Sequence, residues 1–206
     1  MDFSLLRRDP DIDGDGLLAS DAADRLILDE AATLIADSAS GTLAVVDDAY
    51  GALSLGATAG GARAVRSHQD GITGERALAR NAERLGLALP TSTGLDDAVD
   101  GATVVLMRLP RSLDRLAEVA AHVAARADQD VVVVAGGRIK HMSVAMNDVL
   151  GEFFDRVDVS RARQKSRVLF ARQPRRAAAT AAVAEWPRTR RHDDLDLTIA
   201  AHGGVF

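Results

Sequence analysis

The sequence predicts an α/β protein whose mainly parallel sheet ends in an antiparallel hairpin and carries helices on both faces. Short apolar runs alternate with amphipathic stretches of about 10–15 residues, which is typical of successive βαβ units. The runs are continuous and rich in Val and Leu, as expected for parallel strands that are buried on both faces. The last two strand-like segments, 157–164 and 166–173, alternate in polarity and are nearly adjacent, which indicates a hairpin.

The first half of the chain predicts alternating helices and strands after an acidic loop. Residues 9–16 consist mainly of Asp and Gly and predict that loop. Asp21 is a candidate N-cap, because its carboxylate can accept hydrogen bonds from the free N–H groups that begin a helix. The elements predicted after it are a helix over about 22–36, a strand over 42–47, a short helix over 49–59, a strand over 62–67 and an amphipathic helix over 72–86.

The second half continues the alternation up to the hairpin. Ser112 is a candidate N-cap for a helix with Leu113 and Leu116 on its apolar side. The elements predicted before the hairpin are a strand over 103–109, a helix over 113–126, a valine-rich strand over 130–137 and a helix near 143–153. The remaining residues are rich in Ala, Arg and Pro and predict a linker or extension. We therefore divide the chain into one domain over 1–172 and an extension over 173–206.

The composition excludes several kinds of protein. The chain of 206 residues has no cysteine, which excludes disulfides, cysteine-bearing zinc sites and cysteine nucleophiles. Its apolar runs stay well below the roughly 18 residues of a membrane span, and its N-terminus lacks the apolar core of a signal peptide. We therefore expect a cytoplasmic protein without a membrane partner, and we expect a monomer.

Six segments of the chain, taken in order, carry a resemblance to a known family. They are LLASDAADRLIL (17–28), VVDDAYGALSL (45–55), VVLMRLPRSLDRL (104–116), VVVVAGGRIKHMS (131–143), RARQKSRVLFA (161–171) and LTIAAHGGVF (197–206). They resemble the degenerate N-terminal domain of ribosomal RNA guanine-N2 methyltransferases of the RsmC and RlmG type. The last segment resembles the join that leads into the family's second domain.

The resemblance implies two tandem methyltransferase-like domains, of which this chain is the N-terminal one. In the family this copy is degenerate, while the C-terminal copy binds S-adenosylmethionine and methylates the exocyclic N2 of a guanine. The implied fold is that of class I methyltransferases, which are Rossmann-like. The implied partners are the protein's own C-terminal catalytic domain and ribosomal RNA. The full-length protein is therefore expected to be an enzyme, and this chain alone is expected to be inactive.

The residues that the family requires to bind the cofactor and to hold the target amine are missing at three places. The turn after the first predicted strand, residues 47–52, has one glycine and carries Tyr50, although glycines there would let the backbone approach the ligand. The second strand ends in Arg-Ser-His (66–68), with no carboxylate for a ribose before Asp70. Residues 108–111 read Arg-Leu-Pro-Arg in place of Asn-Pro-Pro and an aromatic residue. We therefore expect no cofactor on this chain and no catalytic residue.

A vestigial crevice is still expected where such a fold binds ligands. Open parallel sheets bind them outside the carboxyl ends of the strands, where the strand order reverses. The residues predicted to line the crevice are Asp47, Asp48, His68, Arg108 and Gly136.

The charge of the chain is unevenly distributed. The net charge is −5, yet residues 1–100 carry 18 acidic and 8 basic side chains, whereas residues 156–206 carry 5 and 11. Four basic residues surround the turn of the predicted hairpin: Arg161, Arg163, Lys165 and Arg167. Because alternate residues of a strand share a face, Arg161 and Arg163 are expected to point the same way, which makes the set a candidate RNA-binding surface. The alternative is a solvated sheet edge whose charges prevent pairing with other chains.

Other patterns favour no further site. Asp9, Asp11 and Asp13 alternate as in a calcium loop, but Ser20 stands where the bidentate Glu would be, so we predict no metal. Two alternative functions stay open, a stand-alone protein-interaction module and a small nucleotide-dependent enzyme. A nicotinamide-dependent enzyme would need a Gly-x-Gly-x-x-Gly turn after a strand, and the nearest approach, at residues 14–19, precedes every predicted strand.

Overall fold

A seven-stranded sheet runs through the part of the chain that the structure, a computed structural model, describes: residues 1–12, 14, 16–38 and 42–204. Its strands are β1 (Thr42–Val46), β2 (Val65–His68), β3 (Thr91–Ser92), β4 (Ala102–Arg108), β5 (Val132–Arg138), β6 (Phe154–Val159) and β7 (Ser166–Pro174). They lie in the order β3-β2-β1-β4-β5-β7-β6. Strands β1 to β5 pair in parallel, and β7 runs antiparallel to both β5 and β6. The predicted fold class is confirmed.

Helices cover both faces of the sheet. They are α1 (Ala22–Glu30), α2 (Ala32–Asp37), α3 (Ala52–Ala59), α4 (Ile72–Leu85), α5 (Leu95–Val99), α6 (Leu113–Arg126), α7 (Val144–Phe153) and α8 (Arg176–Val183). Leu43 and Val45 of β1 belong to the core beneath α1, α2 and α3, whereas Ala44 and Val46 belong to the core beneath α6, α7 and α8. This alternation follows from the two-residue period of a strand. No helix among the described residues is long and apolar enough to cross a membrane.

Two predicted caps begin helices at the predicted residues. The carboxylate of Asp21 accepts a hydrogen bond from the Ala23 N–H at 2.7 Å, and that of Asp24 accepts one from the Asp21 N–H at 2.7 Å. The Ser112 hydroxyl accepts a hydrogen bond from the Arg115 N–H at 3.2 Å and begins α6. The single helix predicted over 22–36 is divided at Ala31 into α1 and α2.

The hairpin differs from its prediction in a way that affects the candidate RNA-binding residues. Strand β6 ends at Val159, so Arg161 and Arg163 lie in the connection between β6 and β7. The tight turn comes later, where the N–H groups of Arg163 and Ser166 each donate to the other residue's carbonyl. The expectation that Arg161 and Arg163 share one face of a continuous strand is therefore wrong, because β6 ends before Arg161 and Arg163 pairs with β7 only through an isolated bridge to Ser166.

The segment that follows β7 is folded onto the domain. The Arg176 guanidinium donates to the Ala125 and Ala127 carbonyl oxygens at 2.8 and 2.5 Å, which satisfies acceptors at the end of α6. Ala179 of α8 is fully buried in the same core as α6. Strands β8 (Arg188–His192) and β9 (Leu197–Ala201) then form a separate antiparallel hairpin.

Gly136 of β5, a predicted crevice residue, packs closely against helix α1. A Cβ at this position would lie 2.5 Å from Ile27 Cγ1 of α1, closer than packed carbon atoms come. Its neighbour Gly137 offers a matched comparison, since a Cβ there would lie 3.6 Å from the nearest atoms, in ordinary contact.

We expect Gly136→Ala to lower the free energy of unfolding by about 1–3 kcal/mol, because it forces α1 away from the sheet. We expect Gly137→Ala to change it by less than about 0.5 kcal/mol. Urea denaturation of both variants measures the difference. Equal effects would contradict a packing role for Gly136.

Candidate functional site

A cavity of about 880 Å³ opens at the carboxyl ends of β1 and β4. The strand order reverses between these two strands, which is where doubly wound sheets bind ligands. Loops after β1, β2 and β4 line it, together with Gly203 and Gly204 near the end of the described chain. We call this cavity the crevice.

The turn after β1 has the backbone shape of a glycine-rich turn, although only one of its three residues with positive φ is a glycine. Asp47, Ala49 and Gly51 all adopt positive φ angles, of 59°, 29° and 90°. Left-handed backbone is costly for a residue with a Cβ, so Asp47 and Ala49 hold a conformation that glycine adopts freely. The Tyr50 ring extends from this turn, and its hydroxyl donates to the Asp11 carboxylate at 2.5 Å. The backbone that a cofactor would approach is therefore covered by side chains.

Asp48 occupies the amide groups at the start of α3. Its buried carboxylate accepts hydrogen bonds from the Leu53 N–H at 2.9 Å and the Ser54 N–H at 2.7 Å. These donors belong to the helix N-terminus that would otherwise be available to the carboxylate of a ligand. Burial raises the pKa of Asp48 to about 7, although the two N–H groups act in the opposite direction. The protein thus supplies its own carboxyl group where a ligand's would bind.

Arg115 closes the crevice from the side of α6. Its guanidinium lies 2.9 Å from the Asp47 carboxylate, 3.1 Å from that of Asp70 and 3.4 Å from that of Glu118. Burial acts to lower the pKa of Arg115, but the hydrogen bond to Asp47 and the attraction of the carboxylates keep that pKa above its usual value. Asp70, the carboxylate that follows β2, is exposed but already paired with Arg115.

Glu118 anchors the segment that follows β9. Its buried carboxylate accepts a hydrogen bond from the Gly203 N–H at 2.9 Å and lies 2.5 Å from His202 Nδ1. Only glycine fits at 203, because a Cβ there would lie 2.6 Å from the Asp114 carbonyl oxygen. The chain's own residues 202–204 thereby form one wall of the crevice.

The structure brings some of the predicted crevice residues together: Asp47, Asp48 and Arg108 line a smaller cavity of about 310 Å³, which His68 and Gly136 do not line. Asp47 lines the crevice, and Asp48 lies buried behind its turn. His68 contacts the Thr93 carbonyl oxygen at 3.0 Å through Nδ1 and the Asp70 carboxylate at 3.2 Å through Nε2. Arg108 also lines a further cavity, between the ends of β4 and β5, and Gly136 packs against α1 as described above.

Arg108 is committed to the start of α1. Its guanidinium donates to the carboxylates of Asp21 at 2.8 Å and Asp24 at 2.7 Å. Burial raises the pKa of Asp24, which the neighbouring Arg108 opposes. Arg115, a charged residue of the crevice, and Glu118, the buried carboxylate that it contacts, were not predicted as site residues. Their signal in the sequence was a charged pair on the otherwise apolar side of α6.

The basic residues at the β6–β7 turn differ in their accessibility. Arg161, Arg163 and Lys165 are exposed, and Arg163 forms an ion pair with Asp29 at 2.5 Å. Arg167 is partly buried, and its Nε has no hydrogen-bond partner among the described residues.

The described residues contain no group of three or more His, Cys, Asp or Glu suited to a metal, and Asp13 of the acidic loop lies outside them.

The comparison with protein-family models is decisive for this chain. The model described as the RLMG N-terminal domain matches residues 2–175. The chain belongs to this family. The resemblance inferred from the six segments is thereby confirmed, and the RLMG N-terminal domain is the unit whose crevice has been described.

Curated relatives of this RLMG N-terminal domain are longer than the chain. Ribosomal RNA large subunit methyltransferase G of Pseudomonas entomophila is 30% identical over 211 residues, which cover 100% of this chain and 54% of the relative. The protein of the same name from Pseudomonas paraeruginosa is 31% identical over 207 residues, with 98% and 53% covered. The chain therefore spans about half the length of the curated relatives it matches.

Solved structures share the fold at low sequence identity. The Thermus structure titled T. thermophilus 16S rRNA N2 G1207 methyltransferase (RsmC) in complex with AdoMet and guanosine has a TM-score of 0.63 and 18% identity, covering 78% of this chain and 44% of that one. The ribosomal protein L11 methylase of Lactobacillus delbrueckii subsp. bulgaricus has a TM-score of 0.54 and 20% identity, covering 70% and 78%. These likenesses show a methyltransferase-type fold.

The raised pKa of Asp48 predicts a pH-dependent stability. The folded protein holds this proton more tightly than the unfolded chain, in which an Asp titrates near 3.9, so the stability it contributes is lost as the pH rises from about 4 to about 7. We expect Asp48→Asn to remove this component and to gain roughly 2 kcal/mol on the wild-type protein between pH 5 and pH 8.

Urea denaturation at the two pH values measures this difference. Asp37→Asn, which removes an exposed carboxylate from α2, serves as the control for the change in net charge. Parallel stability curves for the wild-type protein and Asp48→Asn would contradict the assignment of the raised pKa.

Proposed function

We propose that this chain is the auxiliary N-terminal domain of an S-adenosylmethionine-dependent ribosomal RNA guanine-N2 methyltransferase, and that it is not catalytic by itself. In this proposal residues 1–172 form the degenerate domain, and 173–206 lead to a catalytic domain that carries the cofactor. The complete protein would be a cytoplasmic monomeric enzyme. The observation that carries the proposal is the occupation of the crevice by the chain's own charged groups.

The crevice does not fit S-adenosylmethionine. A bound cofactor needs free amide donors at the helix N-terminus and a carboxylate for its ribose hydroxyls. Asp48 already accepts the amides of Leu53 and Ser54, and Arg115 already pairs with Asp47 and Asp70. Binding would require breaking these contacts, and a buried guanidinium such as that of Arg115 costs several kcal/mol when it is left without its partners.

We propose that the hairpin β8–β9 supports the catalytic half of the complete protein. Leu195, Leu197 and Ile199 are exposed large apolar side chains on and beside this hairpin. The hairpin is joined to the domain through the ion pair between Arg188 and Asp114 at 3.3 Å and through the anchored residues 202–204. Its apolar surface fits a partner that buries it, and the roughly twofold length of the curated relatives favours the protein's own second half.

We further propose that the β6–β7 turn contacts RNA phosphates through Arg161, Arg163, Lys165 and Arg167. Exposed cations grouped at one turn suit phosphate contacts, which carry little sequence information. Aromatic side chains make up 3% of the chain, so reading of splayed bases by stacking finds little support.

Isothermal titration calorimetry with S-adenosylmethionine tests the non-catalytic reading. We expect no saturable heat for the 206-residue chain, because the amide and carboxylate groups of the crevice are already paired. S-adenosylhomocysteine and NAD should behave in the same way. Stoichiometric uptake of S-adenosylmethionine would overturn the proposal of a degenerate domain, and uptake of NAD would favour a nucleotide-dependent enzyme.

Fluorescence anisotropy with a labelled fragment of large-subunit ribosomal RNA tests the contact at the β6–β7 turn. We expect binding that weakens with salt, and we expect the double variant Arg161→Ala/Lys165→Ala to lower the slope of log affinity against log salt by about 1–2. Arg63→Ala is the control and should leave the slope nearly unchanged, because Arg63 is exposed and precedes β2, on the far side of the sheet from this turn. Salt-independent binding would contradict a phosphate contact.

A further inference from the structure

A second cavity collects positive charge beside the crevice. It has a volume of about 280 Å³ and lies between the ends of β4 and β5 and the helical turn Ile139–His141. Its charged and titratable lining residues are Asp21, Arg108, Arg111, Arg138, Lys140 and His141. Four permanent cations thus face one carboxylate in a chain whose net charge is −5. We call it the basic cavity.

Two of the four cations have no ion-pair partner among the described residues, and a third is only weakly paired. Arg108 is paired with Asp21 and Asp24, but Arg111 and Lys140 form no ion pair within the described residues. Arg138 approaches Asp21 only to 3.9 Å, and its buried Nε lacks a hydrogen-bond partner among those residues. A buried guanidinium N–H that makes no hydrogen bond is costly, and an anion in the cavity would satisfy it.

The environment of His141 reflects the same excess of cations. Partial desolvation lowers the pKa of His141, and the charges of Arg111, Lys140 and Arg138 lower it further, against the opposing effect of Asp21. Positive charges concentrated in a concave site attract an anion more strongly than the same charges spread over a surface.

Hydrogen bonds fix the backbone around the basic cavity. The Ile139 N–H donates to the Lys165 carbonyl oxygen at 2.9 Å, and the Met142 N–H donates to the Ile139 carbonyl oxygen at 3.0 Å. Leu109 is tied to β5 by its N–H, which donates to the Gly136 carbonyl oxygen at 2.9 Å. A preformed site loses little conformational entropy when its ligand binds.

We propose that the basic cavity binds a backbone phosphate of RNA, with Arg111, Arg138 and Lys140 donating to its oxygens. The proposal rests on the RNA contact proposed above, and it adds a defined site to it. The basic cavity adjoins the β6–β7 turn, because Ile139 bonds to Lys165 and Gly137 lies opposite Arg167 in the β5–β7 pair. The cations of the turn and of the cavity therefore form one continuous band at the carboxyl end of β5.

A charge-reversal pair tests this site by anisotropy with the same labelled RNA. We expect Arg111→Glu/Lys140→Glu to weaken binding by about tenfold or more and to lower the salt slope by about 2. Arg63→Glu is the control, because Arg63 is exposed and precedes β2 at the opposite edge of the sheet. We expect it to weaken binding by less than about threefold, through net charge alone. Equal losses in the two proteins would overturn the basic cavity as a site, and thermal unfolding checks that both are folded.

A titration with inorganic phosphate separates the cavity from the turn. We expect phosphate to shift the imidazole NMR resonances of His141 in the wild-type protein and not in Arg111→Glu/Lys140→Glu, and to compete with RNA. No shift in the wild-type protein overturns the phosphate site. A shift together with unchanged RNA affinity of the double variant overturns RNA as the occupant. Loss of RNA binding in Arg161→Ala/Lys165→Ala but not in Arg111→Glu/Lys140→Glu overturns the cavity alone and leaves the proposed function standing.

Discussion

The pairing of Arg115 with the carboxylates around it organises the ligand-binding edge of this fold. A guanidinium can be buried only if its charge and donors are satisfied, and Arg115 meets this need with Asp47, Asp70 and Glu118. The contacts join the loops after β1 and β2 to helix α6. Glu118 in turn binds the Gly203 N–H and so holds the end of the described chain. At the edge where parallel sheets usually bind ligands, these contacts therefore connect loops, a helix and the last described residues to one another.

The uneven charge of the chain is explained by where the two kinds of charge lie. Two carboxylates of the acidic first half, those of Asp24 and Asp48, are buried, and they cap helices or pair with an arginine. The basic residues of the second half and of the turn after β5 stay at the surface, as Arg161 and Lys140 do. A chain of net negative charge can therefore present a basic band at one edge of its sheet.

Much of the fold could be predicted, because strong local patterns coincide with the elements. Helix α6 has the predicted bounds 113–126, since the cap at Ser112 and a clear apolar stripe specify its start and its face. Strand β3 was missed, because Thr91–Ser92 is two exposed polar residues whose pairing depends entirely on β2. Strand β6 was predicted to continue through residue 164, because alternation of polarity continues past Val159, where β6 ends, whereas the tight turn itself lies at the junction of the two predicted segments.

The features of the candidate site likewise fall into those that local sequence patterns predict and those that depend on contacts between distant residues. The sequence by itself determined that the turn after β1 lacks the glycines of a cofactor site and that the basic residues gather late in the chain. Only the tertiary structure decided that Asp48 caps α3, that Arg115 meets Asp47 across 68 positions of sequence, and that residues 202–204 bind Glu118. These contacts join elements that crossover connections bring together at one edge of the sheet. Local periodicity carries no information about such pairs, so no reading of the chain in one dimension could supply them.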